Sequence, residues 1–370
     1  MPTAPVSVML AAGGTGGHLF PAFALAQELA RRDILVDLIT DLRGDKYGSD
    51  FPARQIYRVP AATLKGSSPI AAAKTGYTLT RGTAAAFKLL GEVKPQAVIG
   101  FGGYPTFPPL LAAKLRRMPS ALHEQNAVLG RANKMLAKRV TAIATSFDNV
   151  AGIDAALAPK VRLTGNPVRD AVIDWAQRAY KAPGPNGPFN LLVFGGSQGA
   201  RYFSDAVPPA LAALPEIVRN ALFVTQQARE EDVVAVTRAY EAAQIRAQVA
   251  PFFKALPEEM AKAHVVIGRA GASTVAELTV IGRPAILVPL PHALDNDQLL
   301  NARRLEAAEA GWCLEQKSIT TETLKAAILQ LISDSDLLTR VAANAKRLGR
   351  ADAVVRLADV VEGLMGRRAL

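Results

Sequence analysis

Three glycine-rich turns are the features of this sequence most suited to chemistry. Each follows an apolar run that predicts a β-strand, and the turns are Gly13–His18, Gly100–Tyr104 and Gly195–Ala200. A strand that turns directly into a helix needs backbone conformations that glycine adopts readily. The helix then points free N–H groups and its positive dipole end at the turn. A tight turn without a ligand is the alternative for one such cluster, but three together favour an anionic ligand such as a phosphate.

A fourth turn carries side chains suited to a nucleotide. The stretch His264–Glu277 predicts a buried strand, a turn of Gly, Ser and Thr, and the start of a helix. The turn amides and hydroxyls could hold a diphosphate, and Glu277 could bind two ribose hydroxyls. A helix N-cap at Ser273 followed by a stabilising acid is the alternative, and it explains Arg269 poorly. The next turn, Pro289–Gln298, adds polar groups at the same sheet edge.

The sequence predicts neither a metal site nor a cofactor. Asp295-Asn296-Asp297 has the D-x-D form of a metal–nucleotide site, but the sequence offers no neighbouring third ligand. The four histidines form no ligand-spaced pair, and the single cysteine, Cys313, excludes a disulfide framework. No glycine turn continues into the G-K-[ST] of a P-loop.

Strand-like and helix-like segments alternate along the chain, which predicts an α/β fold with doubly wound parallel sheets. A chain of 370 residues is too long for one ordinary core and fits two domains. The stretch Lys181–Pro188 is rich in Pro and Gly and breaks any element. We therefore expect an N-terminal domain (residues 1–165), a linker (166–189), a C-terminal domain (190–350), and a C-terminal helix (351–370) that returns toward the N-terminal domain.

Nearly all of the net charge of +11 lies in the first half of the chain. Residues 1–166 contain 20 Lys and Arg against 10 Asp and Glu, whereas residues 167–370 contain 23 against 22. The electrostatic field of such a positively charged half predicts an anionic partner. The segment Lys65–Gly91 mixes basic and apolar residues, which is typical of a segment lying on an anionic membrane. A helix that packs its apolar face on its own domain is the alternative, and nucleic acid is not expected because few aromatic residues are interleaved.

Seven short motifs occur in order over nearly the whole chain. They are G-G-T-G-G-H (Gly13–His18), G-F-G-G-Y-P (Gly100–Pro105), H-E-Q-N (His123–Asn126), G-N-P-V-R (Gly165–Arg169), G-G-S-Q-G-A (Gly195–Ala200), R-A-G-A-S-T-V-A-E (Arg269–Glu277) and D-N-D-Q (Asp295–Gln298). Together they resemble the MurG family, the N-acetylglucosaminyltransferases that complete the lipid-linked disaccharide precursor of peptidoglycan. The resemblance implies a GT-B architecture, in which two Rossmann-like domains face a cleft.

The resemblance also implies the substrates and the location. The donor would be UDP-N-acetylglucosamine, and the acceptor would be undecaprenyl-diphospho-muramoyl-pentapeptide. A peripheral protein would meet this acceptor at the cytoplasmic face of the inner membrane, where association with a cell-wall synthesis complex is compatible with the family.

Matching the motifs position by position assigns roles to individual residues. The residues implied for the donor are Thr15, Gly16, Gly17, Asn126, Arg169, Ser197, Phe253, Ala272, Ser273, Thr274, Val275, Ala276, Glu277 and Gln298. Those implied for the acceptor diphosphate are Gly14, His18, Gly102, Gly103 and Tyr104.

The implied reaction is a metal-independent inverting displacement. The acceptor C4 hydroxyl attacks the anomeric carbon of the donor, and UDP leaves, stabilised by helix-terminal amides and Arg169. His18 is the first candidate for the base, or for a contact to the acceptor diphosphate, and Glu124 is the second. A purely structural His18 at the start of its helix is a further alternative.

Two other functions remain as alternatives. A UDP-sugar 2-epimerase of the same fold would share the donor but would have no use for the basic, apolar segment Lys65–Gly91. A non-catalytic nucleotide-sugar-binding or membrane scaffold protein would not need glycine turns in both halves of the chain.

Overall fold

The chain folds into two compact units, seen in a computed structural model that describes residues 6–13, 16–41, 51–62, 69–184 and 187–370. The first unit consists of Met1–Arg169 and Arg350–Leu370, and the second unit consists of Asp170–Gly349. Each unit contains one parallel sheet covered by helices, which makes each a Rossmann-like α/β domain.

Both sheets are parallel throughout. The first unit has the strand order β3-β2-β1-β4-β5-β6-β7, and the second has β10-β9-β8-β11-β12-β13. The strands are β1 (Ser7–Ala11), β2 (Leu35–Thr40), β3 (Gln55–Arg58), β4 (Ala97–Gly100), β5 (Ser120–Glu124), β6 (Ala142–Thr145), β7 (Val161–Leu163), β8 (Phe189–Phe194), β9 (Leu222–Gln227), β10 (Arg246–Ala250), β11 (Val265–Gly268), β12 (Ala285–Leu287) and β13 (Trp312–Cys313). The chain order reverses beside β1 in one sheet and beside β8 in the other, and ligands bind at such switch points. The predicted fold class is confirmed.

Fourteen α-helices are found in the described ranges. They are α1 (Gly16–Arg31), α2 (Pro69–Val93), α3 (Phe107–Leu115), α4 (Arg131–Leu136), α5 (Asp170–Ala176), α6 (Gly196–Ala212), α7 (Glu216–Ala221), α8 (Val233–Ala242), α9 (Leu256–Lys262), α10 (Ala272–Ile281), α11 (Asp297–Ala307), α12 (Thr321–Ser333), α13 (Ser335–Leu348) and α14 (Ala353–Leu364). None of the helices in these ranges is both long and apolar enough to cross a membrane.

Apolar residues cover both faces of the first sheet. Successive residues of a strand point to opposite faces, so each strand contributes to both cores. Val8 and Leu10 of β1 pack into one core, which also contains Leu357 of α14. Met9, between them, packs on the opposite face with Leu90 of α2. The last helix of the chain is therefore an integral part of the first unit.

Residues 170–189, which the sequence assigns to a linker, belong to the second unit instead. The helix α5 packs against α9 and α10, and the Lys346 amine donates to the carbonyl oxygens of Ala176 and Val280, each at 2.6 Å. The Pro and Gly content of Lys181–Pro188 predicts a break between elements, but it gives no information about this packing of α5. Residues 185 and 186 of that stretch lie outside the described residues.

The two places where the chain changes unit are packed together within the first unit. Gly165 has a φ of 86°, and a Cβ on it would lie 2.9 Å from the Cβ of Arg350 and 3.0 Å from that of Ala353. The buried His123 ring binds the carbonyl oxygen of Gly165 through Nε2 at 3.0 Å. Burial lowers the pKa of His123 to about 4, so the ring is neutral at pH 7. The backbone angle and the close approach both require glycine at position 165.

Replacing Gly165 with alanine should therefore destabilise the protein. We expect Gly165→Ala to lower the free energy of unfolding by about 1–3 kcal/mol, because a Cβ would be both strained and crowded. Urea denaturation followed by circular dichroism measures this loss. Gly184→Ala is the matched control: Gly184 is exposed, no described atom lies within 4 Å of its Cβ position, and its change should stay within about 0.5 kcal/mol. Equal losses in the two variants would contradict the expectation.

Candidate functional site

The carboxyl ends of β1, β4 and β5 lie side by side in the first unit and carry three of the predicted motifs. The strand β1 leads into Gly13 and α1, β4 into Gly100–Tyr104, and β5 into the end of the H-E-Q-N motif. We call this edge the first-unit site. Gly14 and Thr15, which were predicted to contact substrate, lie outside the described residues.

His18 lies in the first turn of α1, with its ring against the turn that follows β4. A Cβ on Gly103 would lie 3.3 Å from Cε1 of the ring, and one on Gly102 would lie 3.4 Å from Nε2. Gly102 has a φ of 83° and Gly103 has a φ of 73°, and such positive values disfavour any residue other than glycine. Burial lowers the pKa of His18, and a hydrogen bond with the Gly13 backbone partly opposes this. At neutral pH the imidazole is therefore uncharged, the form that can accept a proton.

The Glu124 carboxylate is occupied by the loop that follows β5. Its Oε1 accepts hydrogen bonds from the Asn126 N–H at 3.0 Å and from the Asn126 side chain at 3.4 Å. Its Oε2 accepts from the Gly130 N–H at 2.9 Å and from Asn133 Nδ2 at 2.8 Å. Burial raises the pKa of Glu124, and these hydrogen bonds oppose the rise. The geometry favours a loop-positioning role for Glu124 over the second-choice base role expected from the sequence.

Asn133 is a polar residue of this site that sequence reasoning missed. It is 2% exposed, and its Oδ1 has no hydrogen-bond partner among the described residues. Its Nδ2 lies 3.4 Å from the Cβ position of Gly102, which places the amide beside the glycine turn that contacts His18. The only sequence signal was a polar residue on the buried side of a short helix, seven positions after Asn126.

The remaining predicted residues of the first unit lie around α1 and the β4 turn. Gly16 and Gly17 are the first two residues of α1, and Tyr104 begins a short 3-10 helix that runs to Thr106. The guanidinium carbon of Arg169 lies 4.9 Å from the ring centroid of Phe20, also in α1. Arg169 thus packs on the helix that carries His18.

The carboxyl ends of β8, β11 and β12 form the corresponding edge of the second unit, which we call the second-unit site. The helix α10 begins directly after Gly271, whose extended backbone makes it the N-cap, and no side chain caps this helix end. The first N–H groups of α10 are therefore oriented toward any ligand at the edge. The alternative N-cap role of Ser273 is wrong, because Ser273 lies inside the first turn. Its buried Oγ has no hydrogen-bond partner within the described part of the chain.

The loop Pro289–Gln298 is closed on itself by its last residue. The Oε1 of Gln298 accepts a hydrogen bond from the Leu290 N–H at 3.0 Å, and the Gln298 N–H donates to Asp297 Oδ1 at 2.7 Å. Three non-glycine residues of the loop have a left-handed backbone with φ between 53° and 60°: His292, Asp295 and Asn296. Such conformations are costly and cluster in loops that bind ligands.

The other predicted donor residues spread along the same edge. Ala272, Ser273, Thr274, Val275 and Ala276 form the start of α10 ahead of Glu277, which is 5% exposed. Ser197 is the second residue of α6. Phe253 follows β10, which is the outermost strand and is separated from β11 by β9 and β8. The structure therefore groups Glu277 with Gln298 more closely than with Phe253.

No metal centre is evident in the part of the chain that the structure describes. There, no three His, Cys, Asp or Glu side chains lie close enough together to hold a metal ion. Burial raises the pKa of Asp297, and its Oδ1 accepts the hydrogen bond from Gln298.

Comparison with known proteins shows which family the chain resembles over nearly its whole length. The glycosyltransferase family 28 N-terminal domain matches residues 8–145, and the C-terminal domain of the same family matches residues 190–357. A protein of Rhodopseudomonas palustris is 51% identical over 361 residues, which cover 98% of each chain. A protein of Sinorhizobium fredii is 50% identical over 357 residues, which cover 96% of this chain and 95% of the relative. Both are UDP-N-acetylglucosamine–N-acetylmuramyl-(pentapeptide) pyrophosphoryl-undecaprenol N-acetylglucosamine transferases.

Solved structures extend the comparison to the fold. The crystal structure of Acinetobacter baumannii MurG superposes with a TM-score of 0.80 at 29% identity, covering 97% of this chain and 99% of that one. A putative UDP-N-acetylglucosamine 2-epimerase from Listeria monocytogenes has a TM-score of 0.68 at 14% identity, covering 98% of this chain and 96% of its own, which shows a shared fold alone. With both family domains and near-complete relatives at half identity, the chain belongs to glycosyltransferase family 28 and, within it, to the MurG family of N-acetylglucosamine transferases.

Proposed function

We propose that this protein transfers N-acetylglucosamine from UDP-N-acetylglucosamine to the muramoyl sugar of a lipid-diphosphate-linked pentapeptide. The observation that carries this proposal is the similarity to three relatives that are 49–51% identical over nearly the full length of the chain. All three are named for this one activity. The two Rossmann-like units with glycine turns at their switch points supply a binding edge for each substrate.

The second unit supplies the donor site in this proposal. The first N–H groups of α10 and the buried Ser273 Oγ are suited to the diphosphate, which the positive end of the helix dipole favours. Glu277 would bind the ribose hydroxyls, and Gln298 would bind the sugar from the loop that it closes. These groups stabilise the charge that develops on the leaving UDP, so the reaction needs no metal ion.

The first unit supplies the base and the acceptor contacts. The C4 hydroxyl of the acceptor attacks the anomeric carbon, the bond from that carbon to the β-phosphate oxygen breaks, and the hydroxyl proton passes to a neutral His18. Gly102 and Gly103 border this ring, and together with Tyr104 they would contact the acceptor diphosphate. Glu124 holds Asn126 in place in the loop that follows β5, through two hydrogen bonds.

The first unit also offers a surface for an anionic membrane, where a lipid-linked acceptor resides. The helix α2 packs against α3 and buries Leu79 and Leu90. One face of α2 therefore packs on its own domain, as the alternative to membrane binding expects. The other face remains apolar at the surface: Tyr77 is 65% exposed, Phe87 39%, and Leu115 of α3 61%. Between the two helices lies a groove of about 640 Å³, lined by Gly76, Leu79, Thr80, Thr83, Ala84, Phe87, Phe107, Leu111 and Leu115.

Basic residues surround this apolar surface. Lys74, Arg81 and Lys88 lie on α2, and the Arg116 guanidinium carbon lies 3.9 Å from the Phe87 ring centroid. Apolar side chains with basic neighbours are suited to insertion between lipid headgroups and attraction to anionic lipids. We propose that this surface holds the protein at the cytoplasmic face of the inner membrane. An epimerase, which the shared fold alone would allow, would not use such a surface.

A transfer assay tests the function directly. Purified protein, labelled UDP-N-acetylglucosamine and a lipid-diphosphate muramoyl-pentapeptide should yield a labelled lipid-linked disaccharide, and EDTA should leave the rate unchanged. No transfer, or conversion of the donor to its 2-epimer, would overturn the proposed function. Loss of activity in EDTA would overturn only the metal-free mechanism.

Removing the proton acceptor should reduce turnover without weakening donor binding. His18→Gln should lower kcat by on the order of 10²–10⁴-fold, because glutamine cannot accept the hydroxyl proton. In the unaltered enzyme, kcat/KM should fall as pH drops through the lowered pKa of His18 and should be flat above it. Calorimetric titration with UDP-N-acetylglucosamine is the control and should give the same Kd for both proteins. A variant with normal turnover would remove His18 from the mechanism.

Charge reversal on α2 should weaken membrane binding. The triple variant Lys74→Glu, Arg81→Glu, Lys88→Glu should lose about 100-fold or more in partitioning onto anionic vesicles, since each basic residue near the surface contributes about 1 kcal/mol. Sedimentation with phosphatidylglycerol vesicles measures this. A control with the same change in net charge reverses three exposed arginines of the second unit, Arg238, Arg246 and Arg340. Equal losses in both triples would mean that only net charge matters.

A further inference from the structure

Arg269 is a buried cation with an unusual set of partners. It follows β11 directly and is 7% exposed. No carboxylate oxygen of the described residues lies within 4.0 Å of it, although buried charges are normally paired. Burial lowers its pKa, and its Nε has no hydrogen-bond partner in the described part of the chain.

The guanidinium joins the ends of three neighbouring strands. Its Nη1 donates to the carbonyl oxygens of Val288 and Pro289, each at 3.2 Å, at the point where β12 enters the loop closed by Gln298. Its Nη2 donates to Gln316 Oε1 at 2.8 Å, in the segment that follows β13. One side chain therefore fixes the exits of β11, β12 and β13 relative to one another.

The same group also contacts the helix that follows β8. The guanidinium carbon lies 5.1 Å from the ring centroids of both Tyr202 and Phe203. These rings belong to α6, which begins at the glycine turn of the second unit. Arg269, which itself follows β11, thus contacts the segments that follow β8, β12 and β13.

We infer that Arg269 is a positioning residue for the nucleotide-diphosphate of the donor. It holds the α6 turn, the start of α10 and the Pro289–Gln298 loop in one arrangement, without itself touching the ligand. Its uncompensated positive charge adds to the positive end of α10 and favours the anionic ligand. This inference rests on the proposed donor site and assigns its assembly to one residue.

The arrangement needs arginine rather than any cation. A planar guanidinium donates in several fixed directions and stacks on aromatic rings, whereas a lysine amine is a point charge that cannot reach all of these acceptors. Arg269→Lys would therefore keep the positive charge but lose the hydrogen bonds that hold the loop. The variant thus distinguishes the positioning effect of Arg269 from the effect of its charge.

Arg283 provides a matched control within the same unit. It is 3% exposed, donates to the carbonyl oxygens of Ala261, Ile281 and Gly282, and lies 5.3 Å from the Tyr180 ring. It precedes β12 and so lies at the amino end of the strand, opposite the second-unit site. Its replacement removes a similar set of contacts from a buried arginine at the wrong edge of the sheet.

The experiment compares Arg269→Lys with Arg283→Lys in the full-length protein. Calorimetric titration with UDP-N-acetylglucosamine should show an affinity loss on the order of 10- to 100-fold for Arg269→Lys, as expected for misplaced binding groups. The KM for the donor should rise while that for the acceptor stays the same. Arg283→Lys should lower the Tm and leave both the donor Kd and the donor KM unchanged.

The outcomes separate this inference from the proposed function. Unaltered protein that does not bind the donor would overturn the donor site and the inference together. Binding by the unaltered protein with equal Kd for Arg269→Lys, or equal affinity losses in both variants, would overturn the inference alone. If Arg269→Lys does not fold, Gln316→Ala decides: it removes one acceptor of the guanidinium and should weaken donor binding several-fold, and an unchanged Kd would overturn the inference.

Discussion

Parallel pairing of all the strands is the constraint on which both candidate sites depend. In a parallel sheet every strand ends at the same edge, so turns from distant parts of the chain become neighbours. The β1, β4 and β5 turns meet in this way in the first unit, and the β8, β11 and β12 turns meet in the second. Helices that begin at these turns then direct their N–H groups to one edge.

A buried ionisable side chain holds each edge together, a carboxyl group in the first unit and a guanidinium in the second. Glu124 accepts four hydrogen bonds from the loop after β5 in the first unit. Arg269 donates to acceptors beyond β12 and β13 in the second. The fold is duplicated but the buried side chain at each edge is not: Arg269 adds positive charge at the edge proposed for the nucleotide diphosphate, and Glu124 positions a loop at the edge proposed for the acceptor.

The helix α2 relates the first unit to its proposed location. Its buried face completes the core beneath the sheet, while Tyr77 and Phe87 remain at the surface among basic residues. The excess positive charge of the first half of the sequence thus belongs to the unit proposed to meet a lipid-linked acceptor. The second unit, which has almost no net charge, is not proposed to bind the membrane.

The sequence by itself determined the fold class, the glycine turns, the basic first half and the family, because each is written in local composition or short motifs. It assigned residues 170–189 to a linker rather than to the second unit, and it did not indicate the surroundings of Asn133 and Arg269. Those depend on contacts between residues far apart in the chain, such as Arg269 with Gln316 and His123 with Gly165. Only the tertiary structure decided these, since burial and hydrogen-bond partners arise when separate strand ends are brought together at one edge.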